Sequence, residues 1–81
     1  MPEPLPDLFG RVIRRRRETA AMSQEELGAR TKLSRNDIEM IECGETNPTL
    51  LLLHALAIAL QISMAALIQE LEVALDPSAP S

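Results

Sequence analysis

The chain has 81 residues, of which 46% are hydrophobic, and a net charge of −4, so it is long enough for one small folded domain and too apolar to be disordered. It contains one Phe and neither Trp nor Tyr, which excludes the aromatic platforms on which proteins stack the bases of single-stranded nucleic acid. A domain this small buries a modest share of its surface and is only marginally stable by itself. Many small domains gain stability by forming dimers.

The charges are distributed unevenly along the chain. Residues 1–35 contain all eight basic residues and five acids, a local charge of +3. Residues 36–81 contain seven acids and no Lys or Arg, a local charge of −7. Because a nucleic acid responds to a local basic surface rather than to the total charge, the acidic total does not exclude nucleic-acid binding by the first part of the chain.

Neither export nor membrane insertion is expected. A single cysteine, Cys43, excludes an internal disulfide and fits a reducing cytoplasm. Residues 1–10 lack the basic and apolar regions of a signal peptide. Residues 50–68 are nearly long enough to cross a bilayer, but polar residues interrupt them and no Lys or Arg follows. We therefore expect two buried helices separated at residues 61–63, and no membrane partner.

The hydrophobic pattern is helical throughout and shows no alternating strand, which predicts an all-α fold of five helices. Proline-rich residues 1–6 and 76–81 are expected to be tails on either side of one domain, residues 7–75. The first helix is predicted from Asp7 to Thr19. Its apolar stripe consists of Leu8, Phe9, Val12 and Ile13.

Two N-terminal capping signals mark the next two helices. Ser23 precedes the second helix and Glu26 follows three residues later, which is the pattern of a capping box; this helix is expected to end near Thr31. Ser34 precedes the third helix, and Asp37 follows three residues later. A three-residue turn separates the two helices, and together they predict a helix-turn-helix.

The rest of the chain contains two further predicted helices. Gly44 is expected to end the third helix, because glycine readily adopts the left-handed conformation found at helix ends. Thr49 then caps a fourth helix, residues 50–60, and Ser63 caps a fifth, residues 64 to about 74.

The stretch MSQEELGARTKLSRNDIEMIECGETNPTL, residues 22–50, resembles the lambda-repressor-like (Cro/repressor, XRE-type) helix-turn-helix family, and the resemblance extends over residues 8–71. It implies a compact five-helix lambda-repressor-like domain and a transcriptional regulator similar to small controller proteins. It also implies that the third helix, within residues 34–43, enters the major groove of double-stranded DNA, while the start of the second helix lies against phosphates.

The resemblance further implies which residues contact DNA. Gln24 matches a glutamine that bonds a phosphate, and Thr46 and Asn47 match a loop that touches the DNA backbone. The full set of expected contact residues comprises Gln24, Ser34, Arg35, Asn36, Glu39, Met40, Thr46 and Asn47.

The groove-facing side chains have more than one interpretation each. Arg35 can make a bidentate contact to guanine or remain a solvated surface residue. Asn36 can pair with adenine or bond locally in the first helical turn, and Met40 can touch a thymine methyl group or only pack. Glu39 can accept a hydrogen bond from cytosine or repel other sequences.

Four acids in residues 34–48 have to be reconciled with DNA, which repels carboxylates. The resemblance implies that Glu42 faces inward as a structural ion pair with Arg17, at the end of the first helix. Asp37 is expected to stabilise the start of its helix, where a negative charge suits the helix dipole, and Glu45 lies beyond the helix. Glu39 alone is then close to the groove, which predicts weak non-specific affinity rather than no affinity.

The chain departs from the family pattern at three positions. Lys32 and Ala21 replace glycines, and each costs on the order of 1 kcal/mol if its φ is positive. Cys43 replaces a side chain that usually donates to a phosphate, which weakens the expected hold on DNA. A redox-sensing role for Cys43 is the alternative, and its acidic neighbours disfavour it.

The fourth helix is apolar on the face that is usually polar in the family. Leu51, Leu52, Ala55 and Ile58 occupy this face, and we expect a second copy of the chain to cover them as a dimer interface. His54 is expected to pack or to lie in an interface, because the chain has no second histidine with which to form a metal site.

These observations predict a sequence-specific DNA-binding transcription regulator, such as a repressor, that acts in the cytoplasm as a homodimer on a palindromic operator. The sequence has no nucleophile–base pair and no phosphate-binding loop, so we expect no enzyme activity, cofactor or small-molecule effector. Two alternatives stay open: the antitoxin of a toxin–antitoxin pair, and a helix-turn-helix that binds proteins and no DNA. The acidity of residues 36–81 favours the second alternative.

Overall fold

Five helices make up the part of the chain that the computed structural model describes, residues 3–76, and no strand occurs within that range. The prediction of an all-α fold is therefore confirmed. Residues 1–2 and 77–81, which include most of the predicted tail 76–81, lie outside the described residues. The helices are α1 (Leu5–Thr19), α2 (Gln24–Thr31), α3 (Arg35–Glu42), α4 (Leu50–Leu60) and α5 (Met64–Leu75).

The first helix begins at Leu5, two residues before the predicted start at Asp7. Pro6 lies in the first turn, where a backbone N–H would have no acceptor inside the helix. Proline therefore loses no hydrogen bond at this position, and its fixed φ suits a helix. The prediction that residues 1–6 form a tail is wrong for Leu5 and Pro6, which belong to α1.

Each of the four later helices begins at a hydroxyl cap, as the sequence predicts. The caps accept a hydrogen bond from the backbone N–H three residues later, at 3.0 to 3.1 Å. These bonds supply partners for N–H groups that have no acceptor inside the helix. The capping residues are Ser23, Ser34, Thr49 and Ser63.

The two serine caps with an acid three residues later differ in the structure. At α3 the box is complete, because the backbone N–H of Ser34 also donates to the Asp37 carboxylate at 2.9 Å. At α2 the hydroxyl of Ser23 is bonded, but the Glu26 carboxylate accepts from Arg30 at 2.8 Å instead of returning to the cap. An ion pair one turn along the same helix competes for this carboxylate.

The core lies where α1 crosses α3 and α5 and where α2 packs against α3 and α4. Gly10 permits the crossing of α1 and α3, since a Cβ at this position would lie 2.4 Å from the carbonyl oxygen of Ile41. All five helices contribute large side chains that are at most 2% exposed: Phe9, Val12, Ile13, Leu27, Ile38, Ile41, Leu56 and Leu67.

Three turns use a left-handed backbone without glycine. The φ angles of Ala21 and Lys32 are 57° and 61°, so the condition for a conformational cost at these positions is met. A residue with a Cβ in this region costs on the order of 1 kcal/mol relative to glycine. Gln61, which ends α4, has a φ of 59° and carries the same kind of cost.

The chain bends sharply between α4 and α5, at the predicted break. Within residues 3–76 no single helix is long and apolar enough to cross a membrane. Taken together, α4 and α5 have the length and composition of a span, but their axes are bent by 107°. The inner faces of the two helices contribute Leu56 and Leu67 to the core.

Candidate nucleic-acid interface

A helix-turn-helix occupies residues 24–42. The turn between α2 and α3 is closed by a hydrogen bond of 2.9 Å from the backbone N–H of Leu33 to the carbonyl of Gly28. Gly28 lets the helices approach closely, since a Cβ there would lie 3.0 Å from the carbonyl carbon of Ser34. Ile38 is fully buried, so the opposite face of α3 points to solvent.

The outer face of α3 carries the side chains that were predicted to face the groove. Within the predicted recognition segment 34–43, eight residues are helical, and Ser34 and Cys43 are the two caps. The exposed residues of this helix are Arg35, Asn36, Asp37, Glu39 and Met40.

Positive charge without an intramolecular partner is concentrated in the helix-turn-helix. Within residues 3–76, Lys32 in the turn and Arg35 at the start of α3 have no carboxylate within 4.0 Å. The other six basic residues all form ion pairs, so their charges are locally compensated. These pairs are Arg11–Glu3, Arg14–Glu18, Arg15–Glu70, Arg16–Glu70, Arg17–Glu42 and Arg30–Glu26.

Arg17 and Glu42 form a bidentate ion pair that joins α1 to α3. Arg17 Nε donates to Oε2 of Glu42 at 2.6 Å, and Nη2 donates to Oε1 at 3.0 Å. A third bond, from Nη1 to the carbonyl oxygen of Met22, is 2.9 Å long. The hydrogen bond to Glu42 raises the pKa of Arg17 above its ordinary value, against the opposing effect of burial. Glu42 therefore faces the protein interior, as the family resemblance implies, and not a DNA groove.

Gln24 joins this network from the start of α2. Its Nε2 donates to Oε1 of Glu42 at 3.1 Å, a contact that the sequence analysis did not anticipate. The expected phosphate contact, Gln24, and the expected base contact, Arg35, border the same shallow cleft. The residues that line this cleft are Arg17, Ser23, Gln24, Glu25 and Arg35.

Asp37 and Ser34 are engaged with each other at the start of α3. The backbone N–H of Ser34 and, second, its hydroxyl lower the pKa of Asp37 below its ordinary value of 3.8. The charge of Asp37 is therefore held at the positive end of the helix dipole. Ser34 is exposed, but its hydroxyl accepts the cap bond from the backbone N–H of Asp37 and also interacts with the Asp37 carboxylate, so it is engaged within the free chain.

In the next turn of α3, Asn36 has a contact within the helix, whereas Arg35 and Glu39 do not pair. The amide nitrogen of Asn36 lies 4.0 Å from the sulfur of Met40, a weak acceptor one turn further along α3. Glu39 lies four residues after Arg35, the spacing of a helical ion pair, yet the described residues contain no ion pair between the two. Arg35 and Glu39 are thus separately available to a partner.

Three other residues of interest follow the recognition helix. Cys43 is exposed at the C-terminal cap of α3, with a free thiol. Thr46 is half-buried and Asn47 is exposed, both in the loop that leads to α4. These positions lie beyond the helix end, where the family resemblance implies contact with the DNA backbone.

Lys32 is a candidate contact that the sequence analysis missed. From the family pattern it is expected only to replace a turn glycine at a conformational cost. The signal that would have found it is the absence of an acid three or four residues before or after it, where Gly28, Ala29, Arg35 and Asn36 stand.

The outer face of α4 is uncovered in the single chain. Leu51 is 80% exposed and Ile58 is 63% exposed, so this helix, apolar on every side, is not buried on every side. The other two members of the expected interface, Leu52 and Ala55, are half-buried, and together with Leu51 they line a depression that Thr31 and Leu33 also border. The expected interface is therefore divided between a solvent-facing part and a part that already packs inside the chain.

A second apolar depression adjoins the exposed part of α4. It is lined by Leu50, Leu51 and His54 of α4 and by Met64 of α5. Leu50 is 73% exposed, and it was absent from the expected interface. The positions Leu50, His54 and Ile58 follow one another at intervals of four residues, which is the sequence signal for one helix face.

The fold and the exposed face of α3 define a helix-turn-helix DNA-binding protein. A family model described as a helix-turn-helix domain matches residues 8–71. The chain belongs to this family of transcription regulators, and the resemblance to XRE-type regulators is confirmed. A search of curated protein sequences found no match.

Solved structures of small regulators match the chain over most of its length. The restriction–modification controller protein C.AhdI from Aeromonas hydrophila is 32% identical, with a TM-score of 0.73, over 76% of this chain and 94% of that one. The controller protein C.Esp1396I, in a tetramer with its natural 35 base-pair operator, is 26% identical, with a TM-score of 0.82, over 90% and 96%. The clp gene regulator ClgR from C. glutamicum shares the fold at 23% identity, with a TM-score of 0.85 over 94% and 100%. These relatives are regulators and not enzymes.

Proposed function

We propose that this protein is a sequence-specific transcription regulator of the cytoplasm that binds double-stranded operator DNA as a homodimer, with α3 in the major groove. The observation that carries the proposal is the position of the two uncompensated cations of the described chain, Lys32 and Arg35, on the helix-turn-helix. The similarity to C.Esp1396I, which was solved with its operator, supports DNA as the partner.

Arg35 is the principal base-reading residue in this proposal. It is exposed at the N-terminal end of α3, which is the end that helix-turn-helix proteins bring to the base edges. Because no carboxylate of the described chain competes for it, its guanidinium is free to donate two hydrogen bonds to O6 and N7 of guanine. Asn36 and Met40, on adjacent exposed positions, extend the same surface toward neighbouring bases.

The phosphate contacts in this proposal are few and mostly neutral. Lys32 supplies a charge in the turn, while Gln24, Thr46 and Asn47 supply hydrogen bonds only. A thiol is a weak donor, so Cys43 adds little at the end of α3. Since neutral contacts release fewer counterions, non-specific binding should be weak and only shallowly dependent on salt.

Glu39 acts in this proposal as a filter on base sequence. Its carboxylate is exposed on the groove-facing side of α3 and has no cation of the described chain within 4.0 Å. Beside a cytosine it accepts a hydrogen bond from the amino group, and beside an acceptor or a phosphate it is repelled. Acids on the recognition helix are then compatible with DNA and narrow the set of sequences that bind.

The second copy of the chain docks, on this proposal, on the outer face of α4. Leu50, Leu51 and Ile58 are between 63% and 80% exposed, and such a contiguous apolar surface marks an interaction site. No Asp, Glu, Lys or Arg occurs between Glu45 and Glu70, so two copies meet on this face without burying an unpaired charge.

The dimensions of the chain suit this arrangement. Its two shorter principal extents are 23 Å each, so two copies packed side by side place equivalent helices a few tens of ångströms apart. Regulators of this class read half-sites about 34 Å apart, which is one turn of DNA. A twofold axis beside α4 therefore presents two copies of α3 to successive major grooves of a palindromic operator.

Selection of binding sites from random double-stranded DNA, at low and at physiological salt, tests the proposal. We expect an inverted repeat whose half-site centres are about one helical turn apart. Enrichment of a single asymmetric half-site would contradict the homodimer. If no sequence is enriched, the proposal of a sequence-specific regulator is wrong. That result would favour a helix-turn-helix that binds a protein partner, in keeping with the acidity of residues 36–81.

A further inference from the structure

Glu42 is a buried acceptor shared by side chains from two other helices. Its side chain is 5% exposed and accepts two hydrogen bonds from Arg17 and one from Nε2 of Gln24. Resting on the proposed DNA-binding function, we infer that Glu42 is a positioning residue that holds the Gln24 amide ready to donate to a phosphate oxygen of the operator.

The charge of Glu42 determines which end of the amide faces it. A carboxylate accepts hydrogen bonds and donates none, so the NH₂ group of Gln24 faces Glu42 and the carbonyl does not. This bond, 3.1 Å long, uses one of the two N–H groups. A phosphate oxygen is likewise only an acceptor, and the second N–H is the group that it needs.

The charges around the cleft make a neutral donor useful. The charge of Glu42 is compensated by Arg17 through contacts of 2.6 and 3.0 Å. Arg35 and Glu25 line the same cleft with opposite charges. Counted with Glu42, the residues around the cleft have no net formal charge, so a correctly oriented hydrogen-bond donor contributes a larger share of the phosphate contact.

If the Gln24 side chain is already ordered before DNA binds, the phosphate contact costs less conformational entropy. A free glutamine side chain has several rotatable bonds, and ordering it on binding costs conformational entropy. A side chain ordered in the free protein has already lost this freedom, so more of the hydrogen-bond energy appears as affinity. A purely structural Gln24, which only fastens α2 to α3, would contribute to stability and not to binding.

A double-mutant cycle on operator affinity separates these roles. Gln24→Ala should weaken operator binding by about 3- to 10-fold, the equivalent of one hydrogen bond. In a Glu42→Gln background the same change should cost less than about twofold, because an amide at position 42 presents a donor as well as an acceptor and no longer fixes which end of the Gln24 amide faces it. Glu45→Gln makes the same change of charge on an exposed residue, so Gln24→Ala should keep its full effect in that background. Equal effects of Gln24→Ala in all three backgrounds would overturn the inference.

A measurement without DNA or variants tests the premise that the Gln24 amide is held in the free protein. In the free wild-type protein, the side-chain NH₂ group of Gln24 should show restricted motion and slow exchange by NMR, in contrast to the exposed Gln61 and Gln69. A Gln24 amide as mobile as the other two overturns the inference, even if Glu42→Gln does not fold. A held amide in a protein that prefers no operator would instead show that the proposed function has failed.

Discussion

Arg17 has a position unlike that of its three arginine neighbours. Its guanidinium reaches α3 and the carbonyl of Met22, and its side chain is 12% exposed. Arg15, two residues earlier, is 67% exposed and approaches Glu70 only to 3.9 Å. Removal of one member of a buried pair leaves an uncompensated charge, whereas an exposed pair contributes little.

We therefore predict that Arg17→Ala lowers the free energy of unfolding by roughly 3–5 kcal/mol, and that the control Arg15→Ala lowers it by less than about 1 kcal/mol. Chemical denaturation of the two variants and the wild type measures both values. Equal midpoints for the two variants would contradict the structural role of Arg17.

Asp37 makes the stability of α3 depend on pH. The cap bonds from Ser34 hold the pKa of Asp37 below its ordinary value of 3.8. A depressed folded-state pKa contributes stability above the unfolded-state pKa, and that stability is lost as the pH falls through the folded-state pKa.

The difference in unfolding free energy between wild type and Asp37→Asn should accordingly be constant above about pH 5 and should shrink below about pH 4. Denaturation curves at several pH values for both proteins give this difference. A difference that grows on acidification would show that the carboxylate is not stabilised in its charged form.

The ends of the elements show what a sequence can and cannot predict. The hydroxyl caps at Ser34 and Thr49 were predictable, because a cap involves only residues within one turn. The start of α1 was not, because Pro6 is compatible with both a tail and a first helical turn. At α2 the capping box gave way to the Glu26–Arg30 ion pair, since two local interactions compete for one carboxylate.

In the candidate site, too, features within one helix were predictable and contacts between helices were not. Periodicity and the family resemblance identified the outer face of α3, which the structure exposes. The bond from Gln24 to Glu42 joins residues 18 positions apart, and only the tertiary packing of α2 on α3 creates it. The half-burial of Leu52 and Ala55 likewise depends on how α4 meets the α2–α3 turn, which no helical pattern specifies.

The turn after α1 offers a test at the scale of one element. Ala21 has a φ of 57° and its neighbour Ala20 has a φ of −82°, and both are exposed. Glycine removes strain at a positive φ, whereas at a negative φ it only adds freedom to the unfolded chain.

We expect Ala21→Gly to raise the unfolding free energy by about 1 kcal/mol and Ala20→Gly to lower it by about 0.5–1 kcal/mol. Thermal melts of the two variants provide the comparison. The same sign of change in both would indicate that Ala21 is not strained.

The outer face of α4 is apolar and exposed in the single chain, and we propose that a second copy of the chain packs against it. A charge placed at Leu51 would be buried in that dimer without a partner, which is strongly unfavourable. A charge placed at the exposed Ala29 of α2 lies away from the face and serves as the control.

Sedimentation at about tens of micromolar should therefore find dimers for wild type and Ala29→Glu and monomers for Leu51→Glu, since a buried unpaired charge costs several kcal/mol. Dimers for all three proteins would place the interface elsewhere. Monomers for all three would remove the homodimer from the proposal.

The central claim is that α3 reads bases through Arg35, and its most direct test is the effect of Arg35→Ala on two DNAs. Binding of wild type and variant is titrated on a selected operator and on a scrambled sequence, at several salt concentrations. The account predicts a loss of ~1–3 kcal/mol on the operator, relaxed preference at one base pair, and almost no change on the scrambled DNA. An equal loss on both DNAs, with a shallower salt dependence, would show that Arg35 contacts a phosphate and would contradict the account.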